Sequence, residues 1–289
     1  MSVIRFKSFS SGSCGNCYLL GIEEEGKITS AVLIDAGVSL RRLKKELSAD
    51  GIDISCIAAV LVTHDHLDHI RSLGSYCKYL HLPVWATKTL HDAMARHTYT
   101  LEHVSAVRKD LVEGEWNDIV PGKFSVRYFV VPHDATQTVG FGIRIGEEQY
   151  PYVHMTDIGA MTSEAMSFAA HANTVVLESN YDMDMLMGGP YTHELKMRIC
   201  KGNGHLSNDA CALALSRFYH PELEHVFLCH LSENNNTPQL AYEASRAALT
   251  GLGFTPSYAG SSVFTKADGD SLTLQPLPRR TPSPLFKLK

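Results

Sequence analysis

No run in this 289-residue chain approaches the roughly 18 consecutive apolar residues that a membrane span needs, so no membrane anchoring is expected. The start, Met1 to Phe6, has neither a long apolar segment nor a small-residue cleavage site, and no secretory leader is expected. A basic excess is missing as well. Lys plus Arg number 26 against 31 Asp plus Glu, a formal charge of −5. Total charge therefore does not draw the chain to nucleic acid, and any such binding must come from a local patch. The seven cysteines, at 14, 17, 56, 77, 200, 211 and 229, are odd in number and lack a framework spacing. They read as reduced thiols of a cytoplasmic protein. Cys14 and Cys17 form one C-x-x-C without the second pair a structural zinc site wants, so buried, quiet thiols are expected. Internal repeats and internal composition shifts are absent too. With 44% hydrophobic and 20% charged residues, the composition excludes disordered, collagen-like and coiled-coil chains.

What is present is alternation of helix and strand. Apolar periodicity and turn residues predict strands over 3–9, 18–22, 31–34, 57–62, 83–85, 124–131, 140–145, 152–155, 174–177 and 226–229. Helices are expected over 40–47, about 71–79, 89–96, 163–170 and 207–218, and from the Thr237-Pro238 cap onward. Ser10-Ser11-Gly12-Ser13 reads as a turn. The class is layered α/β with mixed sheets. A single domain is expected over 1–274. Residues 275–289, rich in Pro, Arg and Lys, read as a flexible tail.

Histidine is over-used, with fifteen residues, several just after strand-like runs. The buried-strand pattern Val60-Leu61-Val62-Thr63 runs directly into His64-Asp65-His66-Leu67-Asp68-His69. In an extended chain alternate side chains share a face, so His64 and His66 can converge on one ion. A turn into a helix near Ile70 swings Asp68 and His69 toward a second point. Imidazole with carboxylate is a ligand set for zinc that also suits manganese or iron.

H-x-H-x-D-H after a strand resembles the metallo-β-lactamase fold superfamily. Further positions of that family are filled in order: His133 in Val131-Pro132-His133-Asp134, Asp157 in Thr156-Asp157-Ile158-Gly159, and His230 in Leu228-Cys229-His230-Leu231. The resemblance implies a four-layer αββα sandwich with the site at one edge between the sheets. It also implies two divalent metals per chain. His64, His66 and His133 would hold one, Asp68, His69 and His230 the other, and Asp157 would bridge them. The flavodiiron branch has Glu at the place of His66, which disfavours an oxygen-reducing di-iron site. Two divalent ions against two carboxylates leave +2, a charge that favours an activated hydroxide at neutral pH and attracts a phosphate oxygen. Asp68→Ala is expected to abolish activity.

Two segments narrow the branch. Leu177-Glu178-Ser179-Asn180 ends a strand and Gly204-His205-Leu206-Ser207 opens a helix. They match the Glu and His dyad of RNase Z-like nucleases, in which the His protonates the leaving oxygen. These segments, with Ser10-Ser11-Gly12-Ser13, Gly15-Asn16, Pro132-His133-Asp134-Ala135, Asn208, His230-Leu231-Ser232 and Asn235-Asn236, resemble the YycJ (WalJ) group over roughly residues 3–265. That group usually has Ser at the place of Cys14 and Pro-Tyr at the place of Thr192-His193. The resemblance implies a metal-dependent DNA exonuclease acting from the 5′ end, linked to the coordination of cell-wall metabolism with division.

The substrate-binding candidates are Lys196, Arg198 and Lys201, whose charges suit phosphates. Tyr181 and Tyr191 are candidates for stacking bases, and Asn235 and Asn236 for shaping the loop after His230. No sequence-reading module is apparent, so DNA would be bound through its backbone, without sequence preference. The Gly-rich segment 11–16 lacks the Gly-Lys-Ser/Thr end of a P-loop, and ATP is not implied. Three alternatives stay open. One is hydrolysis of a small ester, thioester or lactam, one is RNA processing, and one is a regulatory interaction protein on an inherited fold. Oligomeric state and native metal are not legible.

Overall fold

A computed structural model describes residues 2–289. The first sheet opens as an antiparallel meander of β1 (Val3–Gly12), β2 (Gly15–Glu24) and β3 (Lys27–Ile34). It continues in parallel through β4 (Ile57–Leu61), β5 (Val84–Ala86) and β6 (Arg108–Asp110). The second sheet contains β7 (Asn117–Val120), β8 (Phe124–Val131), β9 (Thr138–Ile145) and β10 (Tyr150–Met155) as an antiparallel set. Then β11 (Thr174–Glu178) and β12 (His225–Cys229) add in parallel, and β13 (Thr255–Pro256), β14 (Val263–Thr265) and β15 (Ser271–Pro276) complete that sheet. A last strand, β16 (Phe286–Lys287), returns to pair with β1.

The sheets pack face to face. Phe6 of β1 lies 4.8 Å from Phe227 of β12 and 6.0 Å from Tyr152 of β10, ring centre to ring centre. Helices cover the outside. On the first sheet α1 (Leu40–Ala49), the short α2 (Leu67–Ile70), α3 (Leu73–Leu80) and α4 (Lys88–Met94) bury Leu43, Leu47, Tyr76 and Leu90. On the second, α5 (Ser163–Ala169) and α8 (Asn208–Phe218) join α9 (Pro238–Gly251) around Leu215, Phe218 and Leu249. Between them α6 (Met183–Gly188) and α7 (His193–Cys200) run over the surface, and α7 buries no residue fully. The result is the helix–sheet–sheet–helix sandwich that the family resemblance implies. Among the described residues no helix is long and apolar enough to cross a membrane. All seven cysteines are free thiols, of which Cys17, Cys77, Cys211 and Cys229 are buried.

Two local expectations are corrected. The turn expected at 10–13 is shorter, because Ser10 and Ser11 stay in the β1 ladder. Their hydroxyls are satisfied there: Ser10 Oγ donates to Arg279 O at 2.7 Å, and Ser11 Oγ lies 2.8 Å from the Tyr18 hydroxyl. The tail expected to be flexible is tied down. Ser283 N donates to Ser8 O, Leu288 N to Ile4 O and Ser11 N to Arg279 O, while Leu277 and Leu288 are buried. The reason is the free edge of β1, whose unpaired backbone groups the tail covers.

Candidate metal centre and active site

Each candidate ligand stands where a strand ends. Beyond β4 the chain stays extended to His66, which is the N-terminal flank of α2, and Asp68 and His69 lie in the first turn of that helix. The helix thus starts earlier than the sequence suggested. His133 follows β8, Asp157 follows β10, Glu178 ends β11 and His230 follows β12. Asp35, Asp157 and His230 have φ of 62°, 54° and 52°. Left-handed backbone at such residues costs about 1–3 kcal/mol each and concentrates at functional sites.

Those loops meet. One ligand atom from each of His64, His66 and His133 lies within 4.8 Å of the others, and the same holds for Asp68, His69 and His230. Asp157 lies between the triads, with Oδ2 3.2 Å from His69 Nε2 and Oδ1 3.8 Å from His133 Nε2. The Nε2 atoms of His64, His133 and His230 are buried without a hydrogen-bond partner. Buried polar atoms are normally paired, so three orphaned imidazole nitrogens in one place call for a cation. Charge gives the same result. The side chains of Asp35, Asp157 and Glu178 are 0%, 3% and 0% exposed, and that of Asp68 is 19% exposed. Four carboxylates this close are stable only beside positive charge. The residues fit a divalent-metal site.

The far nitrogens of the same rings are engaged. His69 Nδ1 is 2.7 Å from Asp35 Oδ2, His64 Nδ1 3.1 Å from Thr63 Oγ1, His133 Nδ1 2.8 Å from Gly204 O, and His230 Nδ1 2.8 Å from Glu178 Oε1. Such partners orient an imidazole and leave Nε2 for the ligand side. Thr63 N and Oγ1 in turn donate to Asp35. Asn16 Nδ2 lies 3.2 Å from Asp68 Oδ2 and 2.9 Å from His69 Nε2. Ser11 Oγ accepts from His230 N.

Electrostatics follow from this packing. Burial and the neighbouring His69 keep the His64 imidazole well below the usual histidine range. Burial acts in the same direction on His69, but Asp35, Asp157 and Asp68 more than offset it and raise the ring to about 10. Burial would raise Asp157, yet His230 and His69 hold it well below the carboxylate range.

The proton-donor candidates adjoin the ligands. His205 Nδ1 is 2.8 Å from Glu178 Oε1, and the ring centre of His205 is 5.0 Å from that of His133. Glu178 Oε2 accepts from the backbone N–H of Ile158 at 2.8 Å and of Leu206 at 3.1 Å. Burial opposes protonation of His205, but Glu178 outweighs it and the imidazole is shifted upward. Glu178 is lowered despite burial, chiefly by His205. Ser13, His66, Asp68, Tyr191, Arg198 and His205 are among the residues lining a cavity of about 280 Å³ over the cluster. A larger cavity, about 610 Å³, lies around Trp116, Arg144 and Phe168 and contains none of these groups.

Of the basic trio, only Arg198 reaches the cavity, where it pairs with Asp134. Lys196 Nζ donates to Met187 O and Lys201 is exposed just past α7. Tyr181 is buried and out of reach of a base, whereas Tyr191 lines the cavity and accepts from Asn234. Asn236 is buried, its amide donating to Ser179 O and Asn180 O, and so shapes the loop after His230. Asp35 and Thr63 carried no site reading in the sequence, whereas Asn16 stood in a segment matched to the family. The signal that could have found Asp35 is its place at the end of a strand beside the one leading to His64.

Comparison with known proteins gives the family. Residues 30–230 match the beta-lactamase superfamily domain. The chain is 30% identical over 252 residues to the exodeoxyribonuclease YycJ of Bacillus anthracis, covering 87% of this chain and 91% of that protein. It is 30% identical over 245 residues to the exodeoxyribonuclease WalJ of Streptococcus pneumoniae, covering 84% and 87%. The crystal structure of the metallo-β-lactamase fold protein YhfI from Bacillus subtilis superposes with a TM-score of 0.62 at 12% identity, covering 97% of this chain and 99% of that one. On these grounds the chain belongs to the metallo-β-lactamase superfamily and, within it, to the YycJ/WalJ group.

Proposed function

We propose that this protein is a metal-dependent nuclease that removes nucleotides from the 5′ end of DNA without reading its sequence. The observation that carries the reading is the His205–Glu178 pair, 2.8 Å apart and directly beside the imidazole and carboxylate cluster. Hydrolysis of a small ester or lactam does not need that pair. Cleavage of a phosphodiester has a poor leaving group, a sugar oxygen, and needs a proton donor. The relatives named exodeoxyribonucleases support DNA as the substrate.

His64, His66 and His133 would hold one divalent cation, Asp68, His69 and His230 a second, with Asp157 shared between them. Zinc and manganese both suit this donor set. When bound, the cations supply Lewis acidity toward a phosphoryl oxygen and lower the pKa of water into the neutral range. Glu178 holds the His205 imidazole by Nδ1, which leaves Nε2 to give its proton to the leaving oxygen. The two backbone N–H groups on Glu178 Oε2 fix that carboxylate, and its other oxygen serves both His205 and His230. Arg198 stands at the cavity rim as a phosphate ligand. Its exposed pair with Asp134 is the kind that exchanges at little cost. The free thiols are in keeping with a cytoplasmic location.

The test is nucleotide release from 5′-phosphorylated single-stranded and duplex DNA and RNA, with manganese and with zinc. Stepwise release of mononucleotides from the 5′ end of DNA is expected. His205→Ala should lower that rate about 10²- to 10⁴-fold while the metal content stays that of the wild type. Turnover of esters or lactams with no nucleotide release would replace the nuclease reading. An unchanged rate in His205→Ala would remove the pair from the chemistry.

A further inference from the structure

We infer that the C-terminal segment supplies the phosphate-binding edge of the active site, through Arg279 and Arg280. This inference rests on the nuclease reading and names residues that hold the substrate's phosphates. The segment crosses the end of the β1–β2 hairpin. Ser10 Oγ and Ser11 N both donate to Arg279 O, and a side-chain carbon added at Gly12 would lie 3.5 Å from the Arg279 stem. The next residue of that hairpin, Ser13, lines the cavity with Asp68 and His230. Arg280 Nη2 donates to Glu233 at 2.8 Å, only three residues past His230. Both arginines therefore stand beside two of the loops that build the site, away from the α7 side where Arg198 lies.

The surroundings suit an anion. Arg279 Nη1 is buried with no hydrogen-bond partner, although a guanidinium carries five donors. The Arg280 side chain is 63% exposed, and its partner Glu233 is 44% exposed. An ion pair so open to water contributes little, and a backbone phosphate can take the carboxylate's place. Arg42 Nη2 donates to the backbone oxygens of both Phe9 and Arg280, so a third guanidinium holds the segment against the hairpin. The chain as a whole is acidic, with a charge of −5, which makes a local group of arginines next to the loops of the site the means of attracting a polyanion. Guanidinium groups on phosphate oxygens carry no base information, in keeping with cleavage that tolerates any sequence. Lys196 Nζ is held by Met187 O and Lys201 stands past the end of α7, so Arg279 and Arg280, beside the loops of Ser13 and His230, add positive charge on the side away from Arg198.

The experiment measures binding of metal-loaded enzyme to a phosphorothioate-backbone oligonucleotide, which resists cleavage, from about 50 to about 200 mM salt. Glutamine replaces each arginine so that the stem packed on Gly12 is kept. Arg279→Gln with Arg280→Gln should reduce the slope of log affinity against log salt by about two, one for each phosphate that is no longer neutralised. Arg280→Gln alone, which changes an exposed side chain paired with Glu233, should reduce it by about one and stands in if the double variant does not fold. Both should raise KM for DNA with kcat little changed, and lysine at both positions should restore the slope. Lys27→Ala, at the start of β3 beyond the opposite end of β2, should bind as the wild type does. A wild-type slope in the glutamine variants overturns the inference and leaves the nuclease reading in place. Wild-type enzyme that neither binds nor cleaves DNA overturns both.

Discussion

Replacing Asp35 by Asn tests the metal centre without touching a ligand. Asp35 is fully buried and accepts three hydrogen bonds within 3 Å: from Thr63 N at 2.9 Å, Thr63 Oγ1 at 2.8 Å and His69 Nδ1 at 2.7 Å. Both carboxylate oxygens are in use, whereas asparagine offers only one. If its amide nitrogen faces His69, two donors oppose each other, and the ring must move its proton from Nδ1 to Nε2. That nitrogen faces Asp157 at 3.2 Å and Asp68 at 3.5 Å, and once protonated it has no lone pair for a cation. If the amide faces Thr63 instead, the buried Thr63 N–H loses its acceptor, which costs about 1–3 kcal/mol of stability. Loss of a partner of this kind weakens metal binding about 10- to 100-fold. We expect the Asp35→Asn enzyme, dialysed against limiting metal, to lose cation from the Asp68–His69–His230 side first. Elemental analysis per chain, a competing-chelator titration and the nuclease rate follow this, with circular dichroism to show that the fold persists. Full metal content and a wild-type rate in folded Asp35→Asn protein would refute the argument that Asp35 sets the His69 tautomer.

Other outcomes follow from the same geometry. Gly37→Ala should inactivate or unfold the protein, because the added carbon would lie 1.7 Å from Asp68 O and 2.6 Å from Asn16 N. A soluble variant with normal activity and melting temperature would mean that the Asp35–Gly37 turn does not press on α2. Chelation should lower Tm by at least about 5 °C, since four neighbouring carboxylates lose their counter-charge and the ligand-linked stabilisation disappears. Calorimetry with and without a chelator checks it, and an unchanged Tm would show that the imidazoles alone neutralise the cluster. His205→Gln should resemble His205→Ala in rate, because an amide has no proton to give at neutral pH. Recovery by Gln in the nucleotide-release assay would mean that His205 binds substrate and donates nothing.

The candidate donors were legible wherever chemistry and local pattern coincide. His64 through His69 announce themselves because four donors follow an all-apolar strand, and His133, Asp157 and His230 stand at corresponding strand ends. Glu178 and His205 were legible as segments, but their hydrogen bond was not. It depends on the parallel pairing of β11 with β12 and on the bridge between Tyr181 and Ser207, pairings between segments remote in sequence. Helices α6 and α7 were not legible for a different reason. α7 fully buries no residue, so no apolar stripe marks its period.

By itself the sequence determined the elements with a strong apolar period and the kinds of donor at the site, because each depends on side-chain type and short-range spacing, while the order of the layers came from the family resemblance. Only the tertiary structure decided which donors share a point, that Asp35 fixes the His69 ring, and that the C-terminal segment covers the edge of β1 and packs against the end of the β1–β2 hairpin. Those depend on pairings between residues as far apart as Ser8 and Ser283. A Pro- and Arg-rich tail carries no local signal of the sheet edge it will cover, since the unpaired backbone groups that attract it belong to a strand at the other end of the chain.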